Sequence, residues 1–240
     1  MPSSSTRASG EPQPSRGADA LETLLERAGV EASLIAPLAR YGKLVLEQNQ
    51  RFNLTGAKSQ EELADHLLDG LSVASYVREP YVDVGSGAGL PAIPIAIATG
   101  MPVVMIEATT KKARFLESVL ELLGLRGAVI AERAEIAGHR PALREHFASG
   151  TARALGSGPT VAELLLPLIE VGGAAVLQRG AISTSEHIAL EDASLMLGGR
   201  IESDDRVEGD RRIIVVRKTG LSPPRFPRRP GIPTKRPLCV

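Results

Sequence analysis

The sequence predicts an α/β fold in which a mostly parallel sheet carries an antiparallel edge hairpin and follows a group of helices. Two observations lead to this prediction. Short apolar runs alternate with amphipathic helical segments through the middle of the chain, which is typical of a parallel sheet with helical crossovers. Near the C-terminus, two strand-like runs are joined by a polar loop containing Gly209 and Asp210, which indicates a hairpin.

The composition is that of one α/β domain with additional segments. The chain has 240 residues, of which 43% are hydrophobic, and this is enough to bury a sizeable core. Its one cysteine, Cys239, excludes an internal disulfide framework, and its four histidines show no metal-binding spacing. No apolar run approaches the ~18 residues that cross a bilayer, and no signal peptide is recognisable. We therefore expect a cytoplasmic protein with no metal and no membrane partner.

The net charge of zero hides an asymmetry along the chain. Residues 211–240 hold nine of the 28 basic residues and no acidic residue, so the remaining chain has 19 basic residues against 28 acidic ones. A segregated basic segment is typical of a protein that contacts a phosphate backbone. A solvated arm that pairs with the acidic face of the same protein explains the charge equally well, and charge alone leaves both interpretations open.

Residues 1–78 predict a leader and a helical cap. Residues 1–17 are too poor in apolar side chains to offset the entropy of ordering, so we expect a disordered leader. Apolar spacing predicts three helices in the cap, residues 18–78: 19–28, 33–50 and 59–77. The third opens with a capping box. It contains His66, which we interpret as a helix-face residue with a local hydrogen bond rather than a catalytic group.

Residues 81–91 form the turn around which the predicted sheet is organised. A short apolar strand leads into Gly85, Gly87 and Gly89. Glycines have no Cβ, so the backbone can approach a ligand and present its N–H groups to it. Asp83, at the exposed end of the strand, is placed to receive an ammonium or a hydroxyl group.

The next strand, residues 101–106, ends at Glu107, where a doubly wound sheet holds the ribose hydroxyls of an adenosine cofactor. The glycine spacing lacks the further-spaced third glycine of a nicotinamide-dinucleotide turn, and no Gly-Lys-Ser/Thr follows as in a P-loop. A cofactor with adenosine and no phosphates fits, which points to S-adenosylmethionine. The alternative is an ordinary tight turn between a strand and a helix.

The core, residues 79–218, continues as alternating helices and strands. The predicted helices are 92–98, 109–123, 161–169 and 185–197, and the predicted strands are 128–131, 147–153, 174–177, 200–203 and 211–217. Gly150 lies inside strand 147–153 and weakens that prediction. The tail, residues 219–240, contains six prolines and is expected to be extended, either docked or mobile, rather than helical.

Two polar segments beside the turn are candidates for ligand contacts. Lys111 and Lys112 lie in the first turns of helix 109–123, where the helix dipole disfavours cations, which suggests a phosphate-bearing substrate. After the third strand, the backbone at Ala134 and the carboxylate of Glu135 lie where a cofactor-binding sheet meets adenine. Solvated surface lysines and a plain polar loop are the respective alternatives.

Seven sequence blocks, in the same order, carry a resemblance to a known family. They are Asn49 with residues 52–55, His66 with Asp69 and Leu71, 83–91, 111–116, 133–135, 152–154 and 227–233. On these blocks the chain resembles the bacterial ribosomal RNA small-subunit methyltransferase G family (glucose-inhibited division protein B), which methylates N7 of a guanine in 16S ribosomal RNA. The resemblance extends from about residue 35 to the C-terminus and implies a Rossmann-like class I methyltransferase fold.

The resemblance also implies roles for individual residues. The residues expected to hold S-adenosylmethionine, either from the turn itself or from the resemblance, are Asp83, Gly85, Gly87, Gly89, Leu90, Glu107, Ala108, Thr109, Ala134, Glu135 and Arg153. Among them, Arg153 is expected at the mouth of the pocket, toward the substrate. The residues implied to face RNA are Lys111, Lys112, Arg228, Arg229, Lys235 and Arg236. The substrate is expected to be 16S RNA within an assembled 30S subunit, because few residues are available to read sequence alone.

The chain departs from the family pattern in the strand before Arg153. That strand normally begins with an acidic residue and continues with β-branched ones, whereas Ala148, Ser149 and Gly150 stand here, so we expect a weakened strand. Guanine N7 carries a lone pair and no proton, so methyl transfer needs positioning by Arg153 and no general base. Three other interpretations stay open: a methyltransferase for another substrate, a non-catalytic RNA-binding assembly factor that retains the pocket, and a nicotinamide-dependent oxidoreductase.

Overall fold

A seven-stranded sheet forms the centre of the computed structural model, which describes residues 18–207 and 209–239. The strands are β1 Tyr81–Val84, β2 Val103–Ile106, β3 Gly127–Ile130, β4 Phe147–Arg153, β5 Ile169–Arg179, β6 Gly199–Arg206 and β7 Arg212–Lys218. Their order is β3-β2-β1-β4-β5-β7-β6, and all pairs are parallel except those of β7. The predicted fold class, including the antiparallel edge hairpin, is confirmed.

Helices cover both faces of this sheet. They are α1 Ala18–Arg27, α2 Ala32–Asn49, α3 Gln60–Leu71, α4 Ala92–Thr99, α5 Thr110–Leu123, α6 Ala134–Ala137, α7 Gly158–Leu165, α8 Thr184–Met196 and α9 Ile232–Lys235. Helices α1 to α5 share one apolar cluster with one face of the sheet, while α6, α7, α8 and the tail share a second cluster with the other face. Along β1, β2, β5 and β7 the apolar side chains alternate between the two clusters, as a pleated sheet requires.

The helical cap positions a turn over the C-terminal end of β1. Asn49, at the end of α2, accepts hydrogen bonds from the backbone N–H groups of Leu54 (2.8 Å) and Thr55 (2.9 Å), and its amide donates to the Ala57 carbonyl at 3.1 Å. The Ser59 hydroxyl then accepts from the Glu62 N–H at 3.2 Å and caps α3. This helix ends at Leu71, earlier than predicted, and a 3₁₀ turn follows.

Strand β4 is complete despite its unusual composition. It spans seven residues, six of them buried, so the expected weakening does not shorten it. A Cβ on Gly150 would lie 2.7 Å from the Leu165 Cδ1 atom and 2.8 Å from the Ile169 Cδ1 atom, which shows that neighbouring side chains already fill the space. The Thr151 hydroxyl lies 2.6 Å from the Tyr81 hydroxyl and ties β4 to β1.

The boundary between α7 and β5 differs from the prediction. Helix α7 ends at Leu165, a 3₁₀ turn containing Pro167 follows, and β5 begins at Ile169, where the sequence predicts helix. Gly172 and Gly173 therefore lie within an irregular part of β5 instead of ending a helix, and Gly172 has φ +90°. The predicted leader, residues 1–17, lies outside the described residues.

Candidate active site

Two adjoining cavities open at the C-terminal ends of β1, β2 and β4, the usual ligand position in an open α/β sheet. The inner cavity, of about 280 Å³, includes Glu107, Glu135 and Thr234 in its lining. The outer cavity, of about 370 Å³, includes His66 and Arg153. Four residues line both: Gly85, Gly87, Lys112 and Ala154. The glycine turn thus forms the boundary where a ligand in one cavity meets a ligand in the other.

The three glycines of this turn provide space rather than hydrogen-bond donors. All have positive φ, at +71° for Gly85, +57° for Gly87 and +99° for Gly89, a region that favours glycine. Their N–H groups are bonded inside the protein: Gly85 to the Ile106 carbonyl at 2.8 Å, Gly87 to Glu107 at 2.9 Å and Gly89 to the Ser86 carbonyl at 2.6 Å. The expectation that these donors face a ligand is therefore wrong.

Glu107 is held in one orientation by the backbone around it. Its side chain is buried, one carboxylate oxygen accepts from the Gly87 N–H at 2.9 Å, and the other accepts from the Thr109 N–H at 2.7 Å. A carboxylate offers about four acceptor positions, so two remain for a ligand. Ala108 lines the inner cavity beside it, whereas Thr109 acts through its backbone contact with Glu107.

Ala134 and Glu135 begin α6 and line the opposite side of the inner cavity. Glu135 is 6% exposed, and its Oε1 accepts a hydrogen bond from the Gly231 N–H at 2.7 Å. The carboxylate that the sequence places beside adenine is therefore fixed by the tail of the same chain.

Asp83 is buried, and the prediction that it occupies an exposed strand end is wrong. Its relative exposure is 1%, because β2 and β4 flank it on both sides. One carboxylate oxygen accepts from the Thr151 hydroxyl at 2.5 Å, while Oδ2 has no hydrogen-bond partner among the described residues. Burial raises the pKa of Asp83 to about 7, with the nearby Glu107 charge adding to the rise. A donor or cation that reached Oδ2 would relieve this unfavourable burial.

The outer cavity brings together residues from the cap and from β4. The Arg153 Nη1 atom lies 3.2 Å from Asp69 Oδ2 and donates to the His66 carbonyl at 3.3 Å. His66 Nδ1 lies 3.5 Å from the Thr55 hydroxyl. Burial and the charge of Arg153 lower the pKa of His66, so this imidazole is neutral at pH 7. Leu90 lines the same cavity.

Sequence reasoning missed the position of His66 and Thr55 at this cavity. Helical spacing places His66 on a helix face but does not show what that face meets. The available signal was the proximity of the Phe-Asn-Leu-Thr and His-x-x-Asp segments among the blocks of the family resemblance. The contact between them forms only when the turn held by Asn49 folds back over α3.

The residues predicted to face RNA differ in their surroundings. Lys111 is exposed, and Lys112 is half-buried where the two cavities meet. Arg229, Lys235 and Arg236 are exposed on the tail. Arg228 differs from the others, because its guanidinium binds the buried carboxylate of Glu163 with an Nη2–Oε2 distance of 2.6 Å, and its contact with RNA stays a prediction.

Residues 18–207 and 209–239 show neither a metal-binding group of side chains nor a helix that could span a membrane. No group of three His, Cys, Asp or Glu side chains in this part of the chain is arranged to hold a metal ion. The helices described there are all too short or too polar to cross a membrane.

Comparison with known proteins gives consistent results. The family model described as "rRNA small subunit methyltransferase G" matches residues 34–214. The protein of that name from Leuconostoc citreum (strain KM20) is 37% identical over 85% of this chain and 91% of its own length. Its counterpart from Geobacillus thermodenitrificans (strain NG80-2) is 36% identical over 90% of this chain and 97% of its own length.

A likeness to a solved structure supports the fold. The ribosomal protein L11 methylase from Lactobacillus delbrueckii subsp. bulgaricus superimposes with a TM-score of 0.51, at 15% identity, over 65% of this chain and 80% of that chain. At this identity the likeness shows a shared fold and nothing about substrate.

Proposed function

The chain belongs to the rRNA small subunit methyltransferase G family, and from this premise we propose that it transfers a methyl group from S-adenosylmethionine to N7 of a guanine in 16S ribosomal RNA. One observation carries the proposal: two cavities meet at a single glycine turn, one with the features of an adenosine site and the other lined by Arg153 and His66. S-adenosylmethionine in the inner cavity and a guanine in the outer cavity would bring the methyl group and N7 together beside Gly85 and Gly87.

The inner cavity fits the adenosine part of S-adenosylmethionine. The two acceptor positions that remain on Glu107 match two ribose hydroxyls, and Ala134 and Glu135 line the part of the cavity proposed for adenine. Asp83 lines neither cavity, but its unpaired, buried Oδ2 would attract the cationic ammonium of the methionine part. When bound, this cofactor supplies a methyl group on a positively charged sulfur.

In the outer cavity the protein has to orient a guanine, and it has no proton to remove. Guanine presents two acceptors, N7 and O6, on one edge. The N7 lone pair has to stay free to attack the methyl group, so the proposed contact of Arg153 is a hydrogen bond to O6, and His66, being neutral, can add a second hydrogen bond to the base. The proposed contribution of the protein is orientation, which converts the transfer into an effectively unimolecular step.

The charge around Arg153 suits a base that becomes positively charged. A lone arginine beside N7 would oppose the charge that methylation places on the purine. The Asp69 carboxylate, 3.2 Å from the guanidinium, offsets this repulsion. The Asp69–Arg153 pair can therefore donate hydrogen bonds without a net positive charge.

We further propose that the substrate is RNA within an assembled 30S subunit in the cytoplasm. Lys111, Lys112, Arg229, Lys235 and Arg236 are cations near the cavities or on the tail, and such residues provide salt-dependent affinity for phosphates. Aromatic side chains make up 3% of the chain, so few are available to stack on bases and read a single strand. A folded particle can be recognised by its shape, which requires few stacking side chains.

The test is mass mapping of 16S RNA after incubation with the protein and methyl-labelled S-adenosylmethionine. Undermethylated 30S subunits and naked 16S RNA serve as parallel substrates, and 50S subunits as the negative control. We expect one labelled N7-methylguanine, formed faster in 30S subunits. Equal rates on naked RNA would contradict the particle preference, and cofactor binding without any labelled RNA would favour a non-catalytic assembly factor.

A further inference from the structure

The tail is hydrogen-bonded to the rest of the protein at several positions along its length. In its first half the Arg144 guanidinium donates to three tail carbonyls, those of Ser222 (2.8 Å), Pro223 (3.3 Å) and Phe226 (2.7 Å). The Ser222 N–H donates to the Glu145 carboxylate at 2.7 Å. These contacts fix the path of the chain from the end of β7 to the start of the last proline-rich stretch.

A buried ion pair anchors the second half of the tail. Glu163, on α7, is 0% exposed and accepts four hydrogen bonds from Arg228: one from its backbone N–H (2.8 Å), two from Nε (2.8 and 3.1 Å) and one from Nη2 (2.6 Å). A buried carboxylate with one such partner is strongly destabilised when the partner leaves. The position of Arg228 is therefore determined by the interior of the protein, not by a ligand.

The last turn of the tail then reaches the inner cavity. The Gly231 N–H donates to Glu135 at 2.7 Å, and the Thr160 hydroxyl on α7 donates to the Pro233 carbonyl at 3.0 Å. The next residue, Thr234, is exposed and lines the inner cavity together with Ala134 and Glu135. Both of the predicted adenine-side residues thus share a cavity with the tail.

We propose that the tail is a wall of the cofactor site, with Thr234 in contact with the adenosine part of S-adenosylmethionine and Gly231 holding Glu135 in place. The identity of the cofactor rests on the proposed function, whereas the wall itself follows from the contacts of Arg228, Gly231 and Pro233. The exposed cations Arg229 and Lys235 lie on the same short segment and remain available to RNA. One segment would then contact cofactor on its inner side and phosphates on its outer side.

Two matched variants of the full-length protein test this proposal: Thr234→Trp, which places a bulky side chain in the inner cavity, and Lys235→Trp, which places it on the adjacent exposed residue. S-adenosylmethionine is titrated into each by calorimetry. We expect Kd to rise at least about tenfold in Thr234→Trp, the equivalent of about 1.4 kcal/mol, and to change by less than about twofold in Lys235→Trp. Thermal unfolding of both variants checks that the fold is intact.

Each outcome bears on the proposal. Wild-type affinity in Thr234→Trp, or an equal loss in both variants, would overturn the assignment of Thr234 to the wall. If the wild-type protein binds the cofactor, Thr234→Trp weakens binding and no rRNA is methylated, the proposed function is wrong and the wall stands. If the wild-type protein binds no S-adenosylmethionine, the wall is overturned together with the cofactor assignment.

Discussion

The outer cavity is bordered by the N-terminal helical cap and the inner cavity by the C-terminal tail. The contacts that hold the charged residues differ between the two cavities. On the inner side, charged groups meet their partners at 2.6 to 3.1 Å in the contacts of Glu107, Glu135 and Glu163. On the outer side, the contacts of Arg153 and His66 measure 3.2 to 3.5 Å. Short hydrogen bonds to ionised groups are the strong ones, so these carboxylates are held more strongly than Arg153 and His66.

This difference indicates how the two cavities position the cofactor and the RNA base. The methyl donor is the same small molecule in every reaction cycle, so a preformed site can bind it. A base that arrives as part of a large RNA has to be accommodated on arrival, and longer contacts leave room for adjustment by the substrate itself. The comparison therefore predicts that changes on the inner side act through stability and cofactor affinity, and that changes on the outer side act through methyl transfer.

The largest effect is expected from Arg228→Ala, which leaves the Glu163 carboxylate buried without its guanidinium. Loss of one partner of a buried ion pair costs about 3 to 5 kcal/mol, so Tm should fall by roughly 6 to 20 °C for a protein of this size. Differential scanning calorimetry measures this change. The matched control is Arg229→Ala, at the next, exposed residue, which should leave Tm unchanged.

The RNA affinities of the same two variants separate the interior role from the surface role. Arg229→Ala should lower the slope of log K against log[salt] by about one, as expected for one lost phosphate contact. A similar small fall in Tm for both variants would contradict the stronger contacts of the inner side, since it would mean that Arg228 contributes no more than a surface residue.

The second effect concerns the outer cavity. Arg153→Ala removes the proposed donor to the guanine edge, and hydrogen bonds from charged groups contribute about 1.5 to 3 kcal/mol, so kcat/KM for methyl transfer should fall by about 10- to 100-fold. Kd for S-adenosylmethionine should stay within about threefold of the wild-type value. Arg153→Lys is the control that retains the charge without the planar donor, and partial activity is expected. A loss of cofactor affinity as large as the loss of kcat/KM would remove the distinction between the cavities.

The smallest effect is a pH dependence of cofactor affinity that originates at Asp83. The pKa of this carboxyl is raised to about 7 by burial, so below pH 7 it is largely protonated and does not attract a cation. Binding of a cationic cofactor favours the carboxylate, so affinity should rise by about tenfold from pH 6 to pH 8 and then level off. Calorimetric titration across this range measures the change, and Asp83→Asn should give a flat profile. A rise of the same size in Asp83→Asn would assign the titration to another group.

The sheet and the position of the inner cavity were predictable from the sequence because they depend on local patterns. A strand, three glycines and Glu107 after the next strand lie within 27 residues, and parallel pairing of β1 with β2 brings their ends together. The boundary of α7 and β5 was not predictable in the same way, since the apolar run 164–169 suits either element. Tertiary pairing with Phe147 of β4 decides it for Ile169.

The tail and Asp83 show a different limit. Arg228 and Glu163 are 65 residues apart, and Gly231 and Glu135 are 96 apart, so no local pattern connects them. Counting the basic residues of the tail as one group also concealed that one of them, Arg228, is paired with a buried carboxylate. Asp83 lies in a strand flanked on both sides, and no local pattern shows that β4 covers its second side. Long-range partners decided each of these cases.

The docked tail determines whether the amine of Lys218 can react with reagents in solution. The Lys218 ammonium, with no exposed side-chain surface, donates to the carbonyls of Leu166 (2.8 Å) and Leu197 (3.3 Å) and to the Ser222 hydroxyl, and lies 3.4 Å from Glu145. Burial lowers its pKa to about 8, but the same burial keeps reagents away from the amine, and exposure to solvent would return its pKa to the ordinary lysine range. Acylating reagents should therefore spare Lys218 in the native protein and modify it at the rate of an ordinary exposed lysine when the segment beyond it detaches, so modification of this amine reports detachment of the tail.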